Sequence, residues 1–241
     1  EFVPRVEDLE TLVDEKTVAI LYNFPSNPTG GTLNESQRDD LLAFAKKHDL
    51  WIISDEVYDR IVFEGAHVSF MGTDYDKLMV VNSFSKTFAM TGWRIGYIIS
   101  PNPEAMKEVI KIQYYISACS NDAMQHAVLE AMEKANDYPS MMAEEFKQRC
   151  DLIVDRLNAM PGVECQKPKG AIYVFPKVTV DGMNSQEIAM ELLKDGVLCS
   201  PGSAFGPSGE GHLRFAYTIS QEDISRGMDK VETTLLRLQN A

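Results

Sequence analysis

The feature that most constrains the fold is a set of four short apolar runs, separated by stretches with helical spacing. The runs are TVAILYN at 17–23, LWIISD at 50–55, LMVVNSF at 78–84 and RIGYIIS at 94–100. Strands that are apolar on both faces and alternate with helices form a covered, mostly parallel sheet. Between the first two runs, Asn34 is positioned to cap a helix. The sequence therefore predicts an α/β fold that begins with a βαβ unit.

The second part of the chain has a different pattern. Residues from 103 to about 160 show helical spacing throughout, and a strand-like run follows at 171–176. Then come a helix capped by Asn184, a glycine-rich loop, a strand at 212–218 and a final helix capped by Ser220. We expect residues 1–145 to belong to a large, mostly parallel αβα three-layer domain, and residues 146–241 to form a smaller α+β domain.

Charge and cysteine usage restrict the class of protein. The 23 lysines and arginines against 36 acidic residues give a net charge of −13, with no basic block to attract nucleic acid. The apolar runs are far shorter than the roughly 20 residues that cross a membrane. The cysteines are widely spaced, which favours a reducing cytoplasm; they are Cys119, Cys150, Cys165 and Cys199. No metal site is evident, and the acidic N-terminus does not resemble an export signal.

Polar residues follow the first two strand-like runs, where open α/β sheets bind ligands. Asn27 lies in SNPTG, and Asp55 and Tyr58 lie in SDEVYDR. Each motif has an ordinary structural explanation. SNPTG is a typical turn, and in an isolated D-x-x-Y sequence the aspartate usually begins a turn while the tyrosine packs against the core. The alternative is that Asn27 and Tyr58 contact an oxygen of an aromatic ligand while Asp55 meets a cationic ring nitrogen.

Lys86 follows the third run within SFSKTFAMTGWRIGY. Apolar neighbours would desolvate its ammonium group and favour a nucleophile or base; they are Phe84, Phe88, Met90 and Trp93. Ser83, Ser85 and Arg94 add hydroxyl groups and a guanidinium, the combination that grips a phosphate. The ordinary alternatives are a solvated lysine at a helix start and an arginine in a surface ion pair.

Two later motifs leave alternatives open. PGSAFG at 201–206 is either a loop that closes over a ligand or a connection between strands. Arg214 alternates with apolar residues in HLRFAY, so its guanidinium is expected to point inward and to need an anionic partner. A structural carboxylate and a substrate carboxylate are both possible partners.

Taken together, the residue types point to pyridoxal phosphate chemistry. That chemistry uses a lysine to form a Schiff base, an aspartate on the pyridine nitrogen, a tyrosine and an asparagine on the phenolate oxygen, and serines with an arginine on the phosphate. The sequence resembles the class I/II aminotransferases of fold type I, similar to the aspartate and aromatic enzymes. The resemblance rests on PSNPTG, SDEVYD, SFSKTFAMTGWRIGY, PGSAFG and LRFAY, and it runs over essentially the whole chain.

The resemblance implies a role for each matching residue. Lys86 would form the Schiff base with pyridoxal 5'-phosphate, Asp55 would pair with the pyridine nitrogen, and Tyr58 would contact the phenolate oxygen. Asn27 would contact the phenolate oxygen and lie near the substrate. Ser83, Ser85 and Arg94 would hold the phosphate, and Arg214 would bind the substrate α-carboxylate. The resemblance also implies amino-acid and 2-oxo-acid substrates and a homodimer.

The sequence departs from the family pattern at one motif position and at its N-terminal end. Phe24 stands where many members have the first asparagine of N-P-x-N-P-T-G, although Asn27 is retained. The N-terminal portion of the family is not matched, so we expect this chain to be a C-terminal portion with impaired activity. A carbon–sulfur lyase, an aminocyclopropane-carboxylate synthase and a non-catalytic ligand-sensing remnant remain as alternatives.

Overall fold

The computed structural model describes residues 2–240, which form two compact units. The first unit comprises Phe2–Pro25 and Thr32–Met142, and the second comprises Ser26–Gly31 together with the chain from Ala143 onward. Their boundary at 142/143 lies close to the expected one at 145/146, but the SNPTG segment groups with the C-terminal unit. The assignment of 1–145 and 146–241 as the family's large and small domains stays a prediction.

The first unit is an α/β structure. Its elements are α1 (Val6–Glu10), β1 (Ala19–Asn23), α2 (Glu35–Lys47), β2 (Trp51–Asp55), β3 (Leu78–Ser83), α3 (Phe84–Thr87), β4 (Gly96–Ile99), α4 (Pro103–Ser117) and α5 (Asp122–Lys134). The strands form one sheet in the order β1-β2-β3-β4, in which the first three are parallel and β4 is antiparallel to β3. The prediction of an α/β fold with a mostly parallel sheet is confirmed.

Helix α2 starts where the sequence predicts. The side chain of Asn34 accepts a hydrogen bond from the backbone N–H of Gln37, and the Gln37 side chain accepts one from the backbone N–H of Asn34. This reciprocal pair satisfies two N–H groups that the first helical turn leaves without partners. The helix buries Leu41, Phe44 and Ala45.

The core of the first unit lies between this helical face and the sheet. Ile52 of β2 and Leu78 of β3 are register partners and are almost completely buried. Tyr22 of β1 stacks on Phe70 with ring centroids 5.5 Å apart. Because both faces of a parallel sheet need cover, the apolar runs that predicted these strands also supply their core.

The second unit mixes helices with short strands. Its elements are α6 (Tyr138–Asn158), which begins in the first unit, and then β5 (Val163–Glu164), β6 (Tyr173–Val174), β7 (Lys177–Val178), α7 (Ser185–Lys194), β8 (Ser200–Pro201), β9 (Leu213–Ala216) and α8 (Gln221–Gln239). Strand β9 lies between β6 and β8 and is antiparallel to both, while β5 pairs with β7. Asn184 and Ser220 cap α7 and α8 as predicted.

Helix α4 differs from the core helices because none of its residues is buried. Its exposed apolar side chains include Ile110, Ile112, Tyr114, Tyr115 and Ile116. No helix within residues 2–240 combines the length and the apolar character needed to cross a bilayer.

Candidate active site

Asp55 is the last residue of β2 and is half-buried at the carboxyl end of the strand. Its carboxylate accepts a hydrogen bond of 3.2 Å from the backbone N–H of Val57, and its carbonyl accepts one of 3.3 Å from the amide of Asn23. Burial raises the pKa of Asp55, and the hydrogen bonds oppose this shift only in part. A cationic partner would therefore stabilise the carboxylate here.

Tyr58 and Lys86 lie close together in the first unit. Tyr58 sits in the turn after β2 and is 4% exposed, whereas Lys86 belongs to α3, directly after β3. The amine nitrogen of Lys86 is 5.8 Å from the centroid of the Tyr58 ring. Since β2 and β3 are adjacent and parallel, their carboxyl ends bring these two residues to one edge of the sheet.

The three residues predicted to hold a phosphate lie in different surroundings. Ser83 ends β3 and is half-buried, Ser85 is buried in α3, and Arg94 is exposed. The Arg94 guanidinium donates a 2.8 Å hydrogen bond to the carbonyl of Thr91, and its backbone is left-handed with φ at 56°. Ser83 lines a cavity of about 170 Å³ and Arg94 lines another of about 490 Å³. The two side chains thus face separate cavities.

The apolar surroundings of Lys86 are only partly as expected. Phe84 and Phe88 stack with their centroids 6.3 Å apart, and Phe84 also contacts Tyr97. Trp93, however, is 40% exposed. Phe84 in α3 and Phe88 directly after it are therefore partly buried, whereas Trp93 is open to solvent.

Asn27 and Arg214 come together within the second unit, although they are 187 positions apart in the sequence. Arg214 lies in β9, and its Nη1 donates a 2.9 Å hydrogen bond to the side-chain oxygen of Asn27. Its Nη2 donates a 3.1 Å bond to the hydroxyl of Ser200. The guanidinium carbon lies 4.5 Å from the Tyr173 ring centroid and 5.0 Å from that of Phe205.

None of these four partners of Arg214 carries a negative charge. Amide, hydroxyl and aromatic groups orient a guanidinium without neutralising it. The sequence left a structural carboxylate and a substrate carboxylate open as partners of Arg214, and neither is among these four contacts.

Gly30 holds the turn that carries Asn27 against the rest of the second unit. The Gly30 carbonyl accepts hydrogen bonds from the backbone N–H groups of Lys169 and Gly170, at 3.0 and 3.1 Å. Gly30 has φ at 68°, and a Cβ atom there would overlap Pro168. Glycine is required at this position because both the conformation and the close contact exclude a side chain.

Sequence reasoning missed a buried network next to Asp55. Glu56 is 4% exposed, and its carboxylate contacts the His67 ring at 2.8 Å and accepts bonds from the Ser54 hydroxyl and the Phe70 backbone N–H. Burial alone would raise the pKa of Glu56, but the hydrogen bonds outweigh it and hold the pKa below its usual value. Asp55 and Glu56 stand side by side in the SDEVYDR motif, but nothing in the sequence linked Glu56 to His67.

The contacts of Arg214 with Tyr173, Ser200 and Phe205 were also missed. Phe205 lies in PGSAFG, a motif that the sequence singled out as a possible loop over a ligand. Ser200 is the register partner of Arg214 in the β8–β9 pair. Such a short strand, Ser200–Pro201, leaves no periodic pattern from which the pairing could be predicted.

The residues of the first unit fit pyridoxal phosphate by their chemistry. An amine, a carboxylate, a buried tyrosine, and two serines at and after the end of a neighbouring strand are the kinds of group that this cofactor requires. These groups lie at or near the carboxyl edge of the parallel strands β2 and β3, where open α/β sheets bind ligands, and they are compatible with a pyridoxal-phosphate-dependent enzyme.

Comparison with known proteins identifies the family. The model of "Aminotransferase class I and II" matches residues 1–231, and the chain belongs to this family. It is 37% identical over 241 residues to aromatic-amino-acid aminotransferase 2 of Thermococcus litoralis and to an aspartate aminotransferase of Pyrococcus abyssi. In both cases the match covers 98% of this chain and 61% of the relative, so the chain spans about three fifths of their length.

Solved structures agree with this assignment. The aromatic aminotransferase of Pyrococcus horikoshii has a TM-score of 0.93 at 36% identity, covering 98% of this chain and 64% of that one. A double mutant of the Thermus thermophilus aspartate aminotransferase has a TM-score of 0.90 at 30% identity, covering 97% and 61%. The fold of this chain is therefore that of the pyridoxal-phosphate-dependent aminotransferases.

Proposed function

We propose that the protein is a pyridoxal-phosphate-dependent aminotransferase, which moves an amino group between an L-amino acid and a 2-oxo acid. The observation that carries this proposal is the Lys86 amine against the Tyr58 ring, with Asp55 ending the strand before them. Because the chain spans about 61% of the relatives' length, the activity is proposed for the whole protein.

The catalytic roles follow from the chemistry of the side chains. Bound pyridoxal phosphate supplies a ring that accepts the electron pair left when the α-proton of an amino acid is removed. Lys86 provides the amine that holds the cofactor covalently and, once released, moves the α-proton. Asp55 keeps a proton on the ring nitrogen, and its burial makes that cation a favourable partner. Tyr58 donates a hydrogen bond to the phenolate oxygen.

The binding roles are assigned in the same way. Ser83, Ser85 and Arg94 hold the phosphate, Asn27 contacts the phenolate oxygen, and Arg214 binds the substrate carboxylate. The neutral contacts of Arg214 support its role, since they orient the guanidinium and leave its charge for an anion. The proposal for Arg94 rests on its place in the motif.

Membership of the family does not determine which amino acid is the preferred substrate. Relatives carry the names of aspartate, aromatic-amino-acid and N-acetyl-LL-diaminopimelate aminotransferases. These names support amino transfer over the lyase, synthase and ligand-sensing alternatives.

We further propose that the protein is a cytoplasmic homodimer. The free thiols of the four cysteines support the reducing compartment, and the family resemblance supports the dimer.

The test is an amino-transfer assay of the whole protein. L-aspartate and aromatic amino acids are offered as donors with a 2-oxo acid acceptor, and products are identified by mass spectrometry. We expect the donor's 2-oxo acid and the acceptor's amino acid in equal amounts, and no product with Lys86→Ala. Pyruvate and ammonia from a thioether amino acid, without amino transfer, would instead establish the lyase.

A further inference from the structure

Residues 202–211, which lie between β8 and β9, are fastened to the start of helix α7 by one carboxylate. We call this segment the 202–211 loop. Oε1 of Glu210 accepts hydrogen bonds from the backbone N–H of Ser185 at 2.6 Å and of Gly211 at 2.9 Å. Oε2 accepts a third bond, of 3.0 Å, from the Ser185 hydroxyl. Ser185 is the first residue of α7 and is 1% exposed.

Ser185 also connects to the other end of the loop. Its hydroxyl oxygen lies 3.1 Å from that of Ser203 and accepts a 3.4 Å hydrogen bond from the Ser203 backbone N–H. Within the loop, Gly202 and Gly209 approach so closely that a Cβ atom on either would overlap the carbonyl oxygen of the other. The loop is therefore a tight structure whose two ends meet at the Ser185 hydroxyl.

The loop carries one of the aromatic contacts of Arg214. Phe205 follows Ser203 by two residues, and its ring centroid is 5.0 Å from the Arg214 guanidinium carbon. Phe205 is also in edge contact with Phe175, at 5.9 Å between centroids. At the start of the loop, β8 presents the Ser200 hydroxyl to Nη2 of Arg214. One of the four contacts that orient Arg214 thus comes from this loop, and a second comes from the strand that leads directly into it.

We propose that Glu210 and Ser185 are positioning residues, which fasten the 202–211 loop so that Phe205 and Ser200 hold the Arg214 guanidinium in the orientation that receives a substrate carboxylate. The carboxylate part rests on the function proposed above. The positioning part rests only on contacts within the second unit. Glu210 is suited to this task because its hydrogen bonds from Ser185 and Gly211 keep the carboxylate ionised, with a lowered pKa.

The direct test measures the rotation of the Arg214 guanidinium about its Nε–Cζ bond. Hydrogen bonds at both Nη1 and Nη2 hinder this rotation, which nitrogen NMR of the arginine-labelled 241-residue chain detects, with Arg214→Lys to assign the signal. In Glu210→Ala, which removes both acceptor oxygens, we expect rotation about tenfold faster, the equivalent of losing about one hydrogen bond. Ser185→Ala should show the same direction. An unchanged rate in a folded Glu210→Ala would overturn the proposal.

Two further variants keep the test decisive. Glu187→Gln removes a carboxylate from the same helical turn without touching the loop, and its Arg214 rotation should equal that of the unsubstituted chain. Ser203→Ala changes an exposed loop residue and should fold even if Ser185→Ala, at a buried position, does not; it must also speed the rotation. Equal rates in Ser203→Ala and Glu187→Gln would contradict the proposal.

A maleate titration separates the two proposals. If Arg214 receives carboxylates, maleate shifts its NMR signals, and Glu210→Ala weakens the affinity about tenfold. If maleate leaves the signals unchanged while Glu210→Ala still speeds rotation, the positioning of Arg214 stands and its substrate role fails.

Discussion

At the scale of single residues, Arg214 is held by four neutral groups, and its chemistry depends on a planar guanidinium. Lysine cannot reproduce two hydrogen bonds to Asn27 and Ser200 together with stacking on two rings. In the whole protein we expect Arg214→Lys to raise KM for the amino donor at least about tenfold, with a smaller change in kcat. Steady-state kinetics measures both constants. An unchanged KM would show that Arg214 is structural.

Glu56 gives a prediction of pH dependence. Because its pKa is lowered in the folded protein, its stabilising contribution is complete above the usual glutamate pKa and is lost as pH falls through the lowered value. Glu56→Gln removes this titration, so its free energy of unfolding should fall less than that of the unsubstituted chain between pH 6 and pH 4. Urea unfolding at both pH values measures the difference. Equal losses in the two proteins would contradict this account.

The sequence predicts the location of polar residues that stand at or just after a strand-like apolar run. Asp55 ends an apolar run, and Tyr58 and Lys86 follow within three residues of one, so their place at the sheet edge follows from the strand pattern. His67 pairs with Glu56, and Ser185 with Glu210, across loops whose path no pattern specifies. Such contacts depend on tertiary packing, and only the structure shows them.

At the scale of elements, the helix caps are the most local stabilising features. Asn34→Ala removes the side-chain acceptor that serves the Gln37 N–H, and we expect a loss of about 1 kcal/mol in the free energy of unfolding. Asn34→Asp keeps an acceptor and is the control. Denaturant unfolding with an unchanged m-value checks the result. A stability loss in Asn34→Asp as large as that in Asn34→Ala would exclude the cap as the cause.

Element prediction was most successful where a pattern and a boundary signal agreed. Helices α2, α7 and α8 begin after the capping residues identified in the sequence. The strand run at 171–176 is reduced to Tyr173–Val174, and β8 was not foreseen. Strands of two residues are stabilised by their neighbours rather than by their own periodicity. The antiparallel direction of β4 was likewise not predictable, because it depends on how the connection from β3 to β4 runs and the apolar pattern does not specify this.

At the scale of the whole molecule, charge dominates the solution behaviour. With a net charge of −13 and an isoelectric point near 4.8, the chain should be least soluble close to pH 4.8 and most soluble at neutral pH. Turbidity across pH 4 to 8 at low salt measures this. A solubility minimum near neutral pH would indicate association through an uncharged surface, such as the exposed apolar residues of α4.

The central claim is that Lys86 is the residue that holds pyridoxal phosphate. The whole protein is incubated with the cofactor, reduced with borohydride and digested with trypsin. Because trypsin does not cleave after a modified lysine, we expect one labelled peptide that runs from Leu78 to Arg94. Lys86→Arg should lose the label and Lys77→Arg should keep it. A label on another lysine, or one spread over many lysines, would contradict the account.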